Sequence, residues 1–402
     1  MQDIKWTVNK LPKTEDLNLP LLSIESAKEV KTFHESFPQY QETPLANLTN
    51  MATQLGLKQV CVKDESYRFG LNAFKVLGGS YAIAHYIADE VGKDISEVPY
   101  NVLTSDALRK EFGQGTFFTA TDGNHGRGVA WASNILKQKC VVYMPKGTTQ
   151  TRLDHVLREN AKASIEELNY DDCVRKAAAE AEQTEHGVII QDTAWEGYEK
   201  IPTWIMQGYG TMALEADQQM TATGCVQPTH IFVQAGVGSL AGAVQGYFAN
   251  RYPDNEPKVV VAEAAIAACL YKSAVAGDGE PKTVGGDMLT LMNGLACGEP
   301  STIAWDILRN HVDTFVSCPD WVSAKGMRLL AAPIKGDTPV TGGESGAVTM
   351  GLLYTIMTDD KYKDLKEHLG LDENSCVLLF ATEGDTDPER YQAIVWDGEN
   401  SL

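Results

Sequence analysis

Lys75 lies in a segment whose residue types suit amine chemistry. Asn72 precedes it by three residues, and its nearest neighbours Phe74, Val76 and Leu77 are apolar. Asn72 predicts a helix N-cap, so Lys75 falls in the first helical turn, where the helix dipole and the apolar surroundings both lower the pKa of an amine. A neutral lysine is the nucleophile of Schiff-base chemistry. The alternative, a solvated surface lysine, is less favoured because a cation destabilises a helix N-terminus.

A glycine-rich turn follows residues 230–234, which have the pattern of a buried strand. The turn carries three glycines within residues 236–242, and its backbone N–H groups, with those of the next helix start, suit an anion. A phosphate group is the natural ligand, and a tight turn without any ligand is the less favoured alternative. The residues predicted to hold the phosphate are Gly236, Val237, Gly238, Ser239 and Leu240.

The same turn also resembles a dinucleotide-binding fingerprint. Gly236 and Gly238 follow a strand, and Glu263 ends the next predicted strand, roughly where that fingerprint places an acid for a ribose hydroxyl. The third glycine comes one residue too late, so this match is weak.

A second loop that leads into a helix spans residues 119–128. It carries Asp122, Asn124, His125 and Arg127, and the N–H groups at the helix start suit a carboxylate ligand. Two roles stay open for Asp122, which either caps the helix or takes part in catalysis. His125 and Arg127 are interpreted as structural residues or as groups that support the reacting ones.

These loops need strands and helices to position them. Apolar runs predict strands, and they are residues 59–63, 140–144, 163–166, 188–191, 230–234, 259–263 and 376–381. Asp171 and Asp172 predict the cap of a helix in which Lys176 and Glu180 form an i,i+4 pair, and a second long helix follows Pro202. This alternation predicts an α/β fold with one doubly wound sheet or two. The first forty residues are mixed and polar, and we interpret them as an arm outside the core.

Composition excludes several classes of function. The chain has 402 residues, with 34 basic against 54 acidic side chains and a net charge of −20. Such a surface repels nucleic-acid phosphates and anionic lipids, so neither nucleic acid nor a membrane is expected as a partner. The eight cysteines form no CxxC pair and the eight histidines no HExxH motif, so no metal site is predicted. With no signal sequence in residues 1–15, a cytoplasmic protein with small-molecule partners is expected.

The order of a reactive lysine, an asparagine-bearing loop and a phosphate-binding turn resembles the fold-type II pyridoxal-phosphate (PLP) enzymes. Within that group the chain is most similar to the diaminopropionate ammonia-lyases, in which an aspartate precedes the Gly-Asn-His-Gly run, as Asp122 does here. Threonine dehydratases usually have a small residue at that position. The motifs that carry the resemblance are residues 63–66, 68–75, 121–131, 191–198, 285–288, 294–300, 343–347 and 382–387.

The resemblance implies two doubly wound α/β domains of the tryptophan synthase β-like architecture, with PLP between them. The large domain would comprise residues 41–84 and 201–402, the small domain residues 85–200, and the arm residues 1–40. The family's usual state implies a homodimer, in which the arm packs on the partner subunit.

The implied reaction is the α,β-elimination of 2,3-diaminopropionate, as both the D and L isomers, to pyruvate and two ammonia molecules. Lys75 would hold PLP and serve as the base for the L isomer, and Asp122 would be the base for the D isomer. Asn124 would contact the phenolic oxygen of PLP and Thr382 its pyridine nitrogen. The substrate-binding residues would be Thr121, Asp122, Gly123, His125 and Asp192, of which Asp192 either binds the β-ammonium group or is an ordinary loop carboxylate.

Two other functions stay open at this point. A PLP lyase that acts on serine or threonine would need the same cofactor residues. A dinucleotide-binding oxidoreductase would explain Gly236, Gly238 and Glu263 but would leave Lys75 without a role.

Overall fold

The computed structural model describes residues 2–401. Its strands are β1 Lys5–Val8, β2 Leu45–Asn47, β3 Gln59–Asp64, β4 Thr116–Ala120, β5 Lys139–Met144, β6 Lys162–Ile165, β7 Gly187–Ile189, β8 His230–Gln234, β9 Lys258–Ala264, β10 Thr314–Cys318 and β11 Cys376–Ala381. The seven predicted strands are all confirmed; two have the predicted ends, and the ends of the other five shift by one or two residues. β1, β2, β4 and β10 were not predicted.

The helices connect these strands. They are α1 Ile24–Glu35, α2 Thr49–Leu55, α3 Val76–Glu90, α4 Tyr100–Leu103, α5 Asp106–Phe112, α6 Asn124–Ile135, α7 Gln150–Leu157, α8 Tyr170–Gln183, α9 Lys200–Ala222, α10 Ser239–Arg251, α11 Cys269–Ala276, α12 Thr302–His311, α13 Asp320–Ala331, α14 Val348–Thr358, α15 Lys363–Leu369 and α16 Pro388–Val395.

The strands form two sheets. The larger has the order β1-β10-β9-β8-β11-β3-β2, and its five inner strands are parallel, whereas β1 and β2 are antiparallel edges. The smaller has the order β6-β5-β4-β7 and is parallel throughout. Parallel strands need crossover connections, and the helices supply them.

Both faces of each sheet are covered, as alternation along the strands requires. In β8, Ile231 and Val233 join the apolar cluster that includes α9 and α10, whereas Phe232 joins the cluster on the opposite face with α13 and α14. In β4, Phe117 faces the cluster that includes α6, and Phe118 faces α8. The predicted α/β class with doubly wound sheets is confirmed, and the domain boundaries inferred from the resemblance stay a prediction.

The first forty residues do not form the arm that their polarity suggested. β1 adds to the edge of the large sheet beside β10, and α1 buries Ala27, Val30 and Phe33 in the core. The apolar residues of α1 are spaced for one helical face, which binds this segment to its own chain.

Two local predictions about helix α8 are wrong. The cap of α8 is the Asn169 side chain, which accepts the N–H of Asp172 at 2.9 Å, in place of Asp171 or Asp172. Lys176 pairs with Glu166 across the loop at 2.9 Å, and Glu180 accepts the hydroxyl of Tyr143. Both Lys176 and Glu180 therefore have tertiary partners, which the i,i+4 spacing could not show.

No helix among residues 2–401 is long and apolar enough to cross a membrane. In the same described range, no cluster of histidine, cysteine and acidic side chains is arranged to hold a metal ion.

Candidate active site

A cavity lies where strands of both sheets end. It is bordered by the residues that follow β4, by the glycine turn after β8, by Thr382 and Glu383 after β11, and by Lys75 at the start of α3. The carboxyl ends of parallel strands are the usual place for a ligand in α/β proteins. The sequence-predicted residues that border it are Lys75, Thr121, Asp122, Asn124, His125, Asp192, Gly236, Val237, Gly238, Ser239, Leu240 and Thr382, whereas Gly123 is not among the lining residues.

Lys75 occupies the N-cap position of α3, and Asn72 does not cap the helix as predicted, because it adopts a left-handed conformation with φ +60°. The amine of Lys75 contacts the carboxylate of Asp192. Burial lowers the pKa of Lys75, but the charge and hydrogen bond of Asp192, together with Tyr209 and Asp122, outweigh burial and hold that pKa above its ordinary value. The expectation of a lowered pKa is therefore wrong, because the sequence around Lys75 did not reveal the carboxylate.

Asp192 is the most strongly paired carboxylate of the cavity. Besides Lys75, it accepts the hydroxyl of Tyr170 at 3.2 Å, and Nδ1 of His125 lies 4.0 Å away. Burial alone would raise the pKa of Asp192, but Lys75 and His125 lower it well below its usual range. Asp192 is therefore an ionised group that accepts an ammonium ion at its position in the cavity.

The glycine turn has the properties of a phosphate-binding loop. Gly238 has φ +103°, and a Cβ on Gly236 would lie only 3.1 Å from the sulfur of Cys297. Within residues 2–401, none of the N–H groups of residues 236–240 donates a hydrogen bond to a protein acceptor. Five unpaired N–H groups at the start of α10 fit a phosphate dianion.

Two buried polar atoms in the cavity also lack partners. Oε1 of Gln234 and Nδ1 of His125 have no hydrogen-bond partner among the described residues, although both side chains are buried. The other ends of these side chains are fixed, since Gln234 donates to the hydroxyl of Thr382 at 2.5 Å and His125 Nε2 lies 2.9 Å from the carbonyl of Ile190. A polar ligand in the cavity would satisfy these atoms, and so the residues present fit PLP.

Asn124 and Thr382 border the cavity from two directions. The amide of Asn124 donates to the Glu383 carboxylate, which also accepts the N–H of Ser345 at 2.8 Å. Thr382 accepts its hydrogen bond from Gln234 and keeps its own hydroxyl proton available. The contacts of Asn124 and Thr382 with PLP stay predictions.

Asp122 does not cap α6, since the N-cap residue is Gly123 and no side chain caps that helix. Instead, Asp122 accepts a hydrogen bond from Nη1 of Arg152 at 3.0 Å, and Nη2 of Arg152 lies 3.4 Å from Glu344. Burial raises the pKa of Asp122 above its ordinary value, with Arg152 opposing this rise and Glu383 adding to it. The capping alternative is wrong, and Asp122 faces the cavity.

Sequence reasoning missed four polar residues of the site. Tyr170, Arg152 and Glu383 contact predicted residues, and Glu344 pairs with Arg152, but none of the four was given a role. Glu344 and Glu383 lie in motifs that the resemblance had singled out, which was the one signal for them. Arg152 lies outside those motifs and carries no local signal.

Glu263 excludes the dinucleotide hypothesis on geometry. Its carboxylate accepts the N–H groups of Leu270 and Tyr271 at 2.8 and 2.6 Å, at the start of α11. Burial raises the pKa of Glu263 to about 8. A side chain that is bound to its own backbone in this way does not reach a ribose beside Gly236.

Comparison with known proteins identifies the family of the chain. The sequence pattern of the family described as pyridoxal-phosphate dependent enzymes matches residues 37–369. A diaminopropionate ammonia-lyase of Salmonella typhimurium is 50% identical over 384 residues, which cover 95% of each chain. The chain belongs to the pyridoxal-phosphate dependent enzymes.

Solved structures extend the match to three dimensions. The diaminopropionate ammonia lyase of Escherichia coli, crystallised with an aminoacrylate-PLP azomethine reaction intermediate, has a TM-score of 0.90 and 44% identity, covering 99% of this chain and 98% of that one. A threonine deaminase of Solanum lycopersicum has a TM-score of 0.70 at 18% identity, covering 98% and 97%, and so shares the fold. The predicted family, the cofactor PLP and the class of PLP-dependent lyase are confirmed.

Proposed function

We propose that this chain catalyses the α,β-elimination of 2,3-diaminopropionate, in both the D and L forms, to pyruvate and two molecules of ammonia. The observation that carries the proposal is the 50% identity to a diaminopropionate ammonia-lyase over 95% of both chains. Asp122 supports the same conclusion. An aspartate before the Gly-Asn-His-Gly run is typical of the diaminopropionate ammonia-lyases and not of threonine dehydratases, which favours 2,3-diaminopropionate as the substrate over serine or threonine.

Five residues would hold the cofactor's phosphate, and three would fix the rest of it. The N–H groups of residues 236–240 face the phosphate, Lys75 forms the covalent bond through its amine, and Asn124 and Thr382 contact the ring. When bound, PLP supplies an electron sink for the bond that breaks at the substrate's Cα. A hydroxyl rather than a carboxylate at position 382 does not protonate the ring, which favours prompt loss of the β-amino group.

Lys75 is the base for the L isomer. Its amine lies beside Asp192 inside the cavity, and the incoming amine of the substrate frees it from the cofactor. The free amine accepts the Cα proton and later gives a proton back, as general acid–base catalysis requires. Phe74 and Tyr209 lie with their rings 5.3 and 5.8 Å from Nζ, so one side of the amine faces aromatic surface.

Asp122 is the base for the D isomer. If the substrate's carboxylate and α-amine are held in the same places, the two enantiomers present the Cα hydrogen in opposite directions, so one base cannot serve both. Asp122 borders the cavity beside Gly294 and is the titratable group of the loop that follows β4. It accepts the Cα proton of the D isomer in its ionised form.

The remaining groups bind the substrate. The loop of residues 121–125 takes the substrate carboxylate at the start of α6, where the side chain of Thr121 is held by the N–H of Gly123 at 2.9 Å. Asp192 binds the β-ammonium group, a role supported by its contact with the ammonium group of Lys75. We further propose a homodimer in the cytoplasm, with the domain division of residues 41–84 with 201–402 against 85–200.

The test is a comparison of substrates. Purified holoenzyme should release pyruvate from D- and L-2,3-diaminopropionate with higher kcat/KM than from serine, and 2-oxobutyrate from threonine most slowly. A higher kcat/KM for serine or threonine would contradict the proposed substrate, whereas the cofactor's absorbance would still report whether PLP is bound.

A further inference from the structure

Arg152 is a buried cation placed between two carboxylates. It is the third residue of α7, its side chain is 3% exposed, and its two terminal nitrogens lie 3.0 Å from Asp122 and 3.4 Å from Glu344. Its backbone N–H donates to the side chain of Thr149 at the start of α7. A Cβ built on Gly123 would lie 3.5 Å from the aliphatic carbons of Arg152, so the arginine stem runs close to the backbone of the loop that carries Asp122.

Arg152 lies behind Asp122 as seen from the cavity. Asp122 borders the cavity and keeps 17% of its side-chain surface exposed, whereas Arg152 and Glu344 are not among the described residues that line it. A substrate in the cavity therefore meets Asp122 and does not meet the guanidinium group. Any effect of Arg152 on the reaction has to act through Asp122.

A carboxylate that accepts a proton must first be ionised. The charged groups that face Asp122 are Arg152 from α7, Lys75 at the start of α3 and Glu383 after β11. Burial raises the pKa of Asp122 and Glu383 adds to this rise, while Arg152 is the strongest opposing group. Because Lys75 is paired with Asp192, Arg152 is the cation that forms an ion pair with Asp122.

We propose that Arg152 is a positioning residue for Asp122, which it keeps ionised and aims at the cavity as the proton acceptor for the D isomer. This inference rests on the proposed function of Asp122 as that base. Glu344 anchors the guanidinium group from the other side. A planar guanidinium suits this bridge between two carboxylates better than an ammonium group, because its donors are fixed in one plane.

The test compares Arg152→Met with Arg152→Gln and Arg152→Lys in the holoenzyme. The two neutral variants should lower the ratio of D-isomer to L-isomer kcat/KM on the acid side of the profile. At pH values below the pKa of Asp122 the loss should be ~10-fold for each unit by which that pKa rises, since the ionised fraction falls tenfold per unit there. The acid limb of the D-isomer profile should move to higher pH. Arg152→Lys should restore part of the D-to-L ratio of kcat/KM. If only one of the two neutral variants folds, the ratio measured with that variant decides the outcome.

A second measurement does not depend on turnover. The infrared difference spectrum between the holoenzyme and its Asp122→Asn variant reports the protonated carboxylic acid of Asp122, which should titrate at higher pH when Arg152 is neutralised. As a matched control, Arg251→Met removes an arginine at the end of α10 whose Nε donates to Asp217 at 3.0 Å. It should move neither the ratio nor the titration.

An unchanged infrared titration and an unchanged D-to-L ratio in a folded neutral variant would overturn the role of Arg152. Equal losses with both isomers would also overturn it, since they indicate a structural role. Failure of the proposed function would be seen separately. In that case Asp122→Asn itself would lower pyruvate release from both isomers equally, whereas the infrared titration would still show whether Arg152 affects the protonation of Asp122.

Discussion

The Lys75 side and the Asp122 side of the cavity both pair a base with a group of opposite charge, but they place that partner differently. Asp192, the partner of Lys75, itself borders the cavity, whereas Arg152, the partner of Asp122, lies behind it. A substrate ammonium group can therefore displace Lys75 from Asp192. No substrate can displace Arg152 from Asp122. The difference indicates an exchangeable pair on one side and a permanent pair on the other.

The largest effect should come from Lys75→Ala, which removes the base of one side and the covalent attachment that both sides need. Pyruvate release from both isomers should fall by at least ~10²–10⁴-fold, the usual contribution of one general acid–base group. Some PLP should still bind through the glycine turn. The control Lys200→Ala removes an exposed lysine paired with Asp89 and should retain full activity.

Borohydride reduction of the wild-type holoenzyme checks the same assignment chemically. The visible band should disappear, and mass spectrometry should locate the pyridoxyl group on Lys75. A label on any other lysine would refute the role of Lys75.

Gly238→Asp should abolish the activity of both sides together, because both depend on one cofactor. The residue has φ +103°, and a Cβ there would lie 3.2 Å from Leu308, so a side chain adds strain and a negative charge beside the phosphate. PLP affinity should fall ~10-fold or more, since about 1.4 kcal/mol suffices for that factor. Absorbance titration with PLP measures it.

Gly224→Asp is the matched control for backbone strain, because Gly224 has φ +89° with no atom within 4 Å of its Cβ position. This variant should bind PLP normally. Normal PLP occupancy in a folded Gly238→Asp protein would contradict the phosphate assignment.

Asp192→Asn should change the pH dependence with which PLP attaches to Lys75. Without the carboxylate, burial becomes the main influence on Lys75 and lowers its pKa, so more of the amine is neutral at a given pH. Covalent attachment of PLP to the cofactor-free protein should then begin at lower pH. At pH 7 the attachment should be ~10-fold faster when the pKa of the amine is one unit lower, because the neutral fraction is then tenfold larger. Growth of the visible band measures it.

Asp122→Asn should move this pH dependence less, since Asp122 is a weaker influence on Lys75 than Asp192 is. If Asp192→Asn leaves the pH dependence of PLP attachment unchanged, the ion pair between Asp192 and Lys75 does not control the pKa of the amine.

The sequence predicted those parts of the site that are local along the chain. β8 and the turn after it were found because an apolar run is followed at once by glycines, and both features depend on neighbouring residues. β4 was missed since its last two residues also begin the loop of residues 119–128, which was interpreted as a loop throughout. The fold class followed from alternation, which is also a local pattern.

The ionic partners could not be predicted in the same way. Asp192 lies 117 residues from Lys75, and Arg152 lies 30 residues from Asp122. Contacts of this kind are set by how two sheets and their helices pack, and no spacing in the sequence encodes them. For this reason the direction of the Lys75 pKa was predicted wrongly, although Lys75 itself was placed correctly in the cavity.

The most direct test of the two-sided site is the Asp122→Asn variant assayed with each pure enantiomer of 2,3-diaminopropionate. Asparagine keeps the shape of the side chain and a carbonyl oxygen for Arg152, but it cannot accept the Cα proton. Release of pyruvate from the D isomer should fall ~10²-fold or more, while the L isomer should retain most of its turnover through Lys75. Equal losses with both isomers, or no loss with either, would contradict the account.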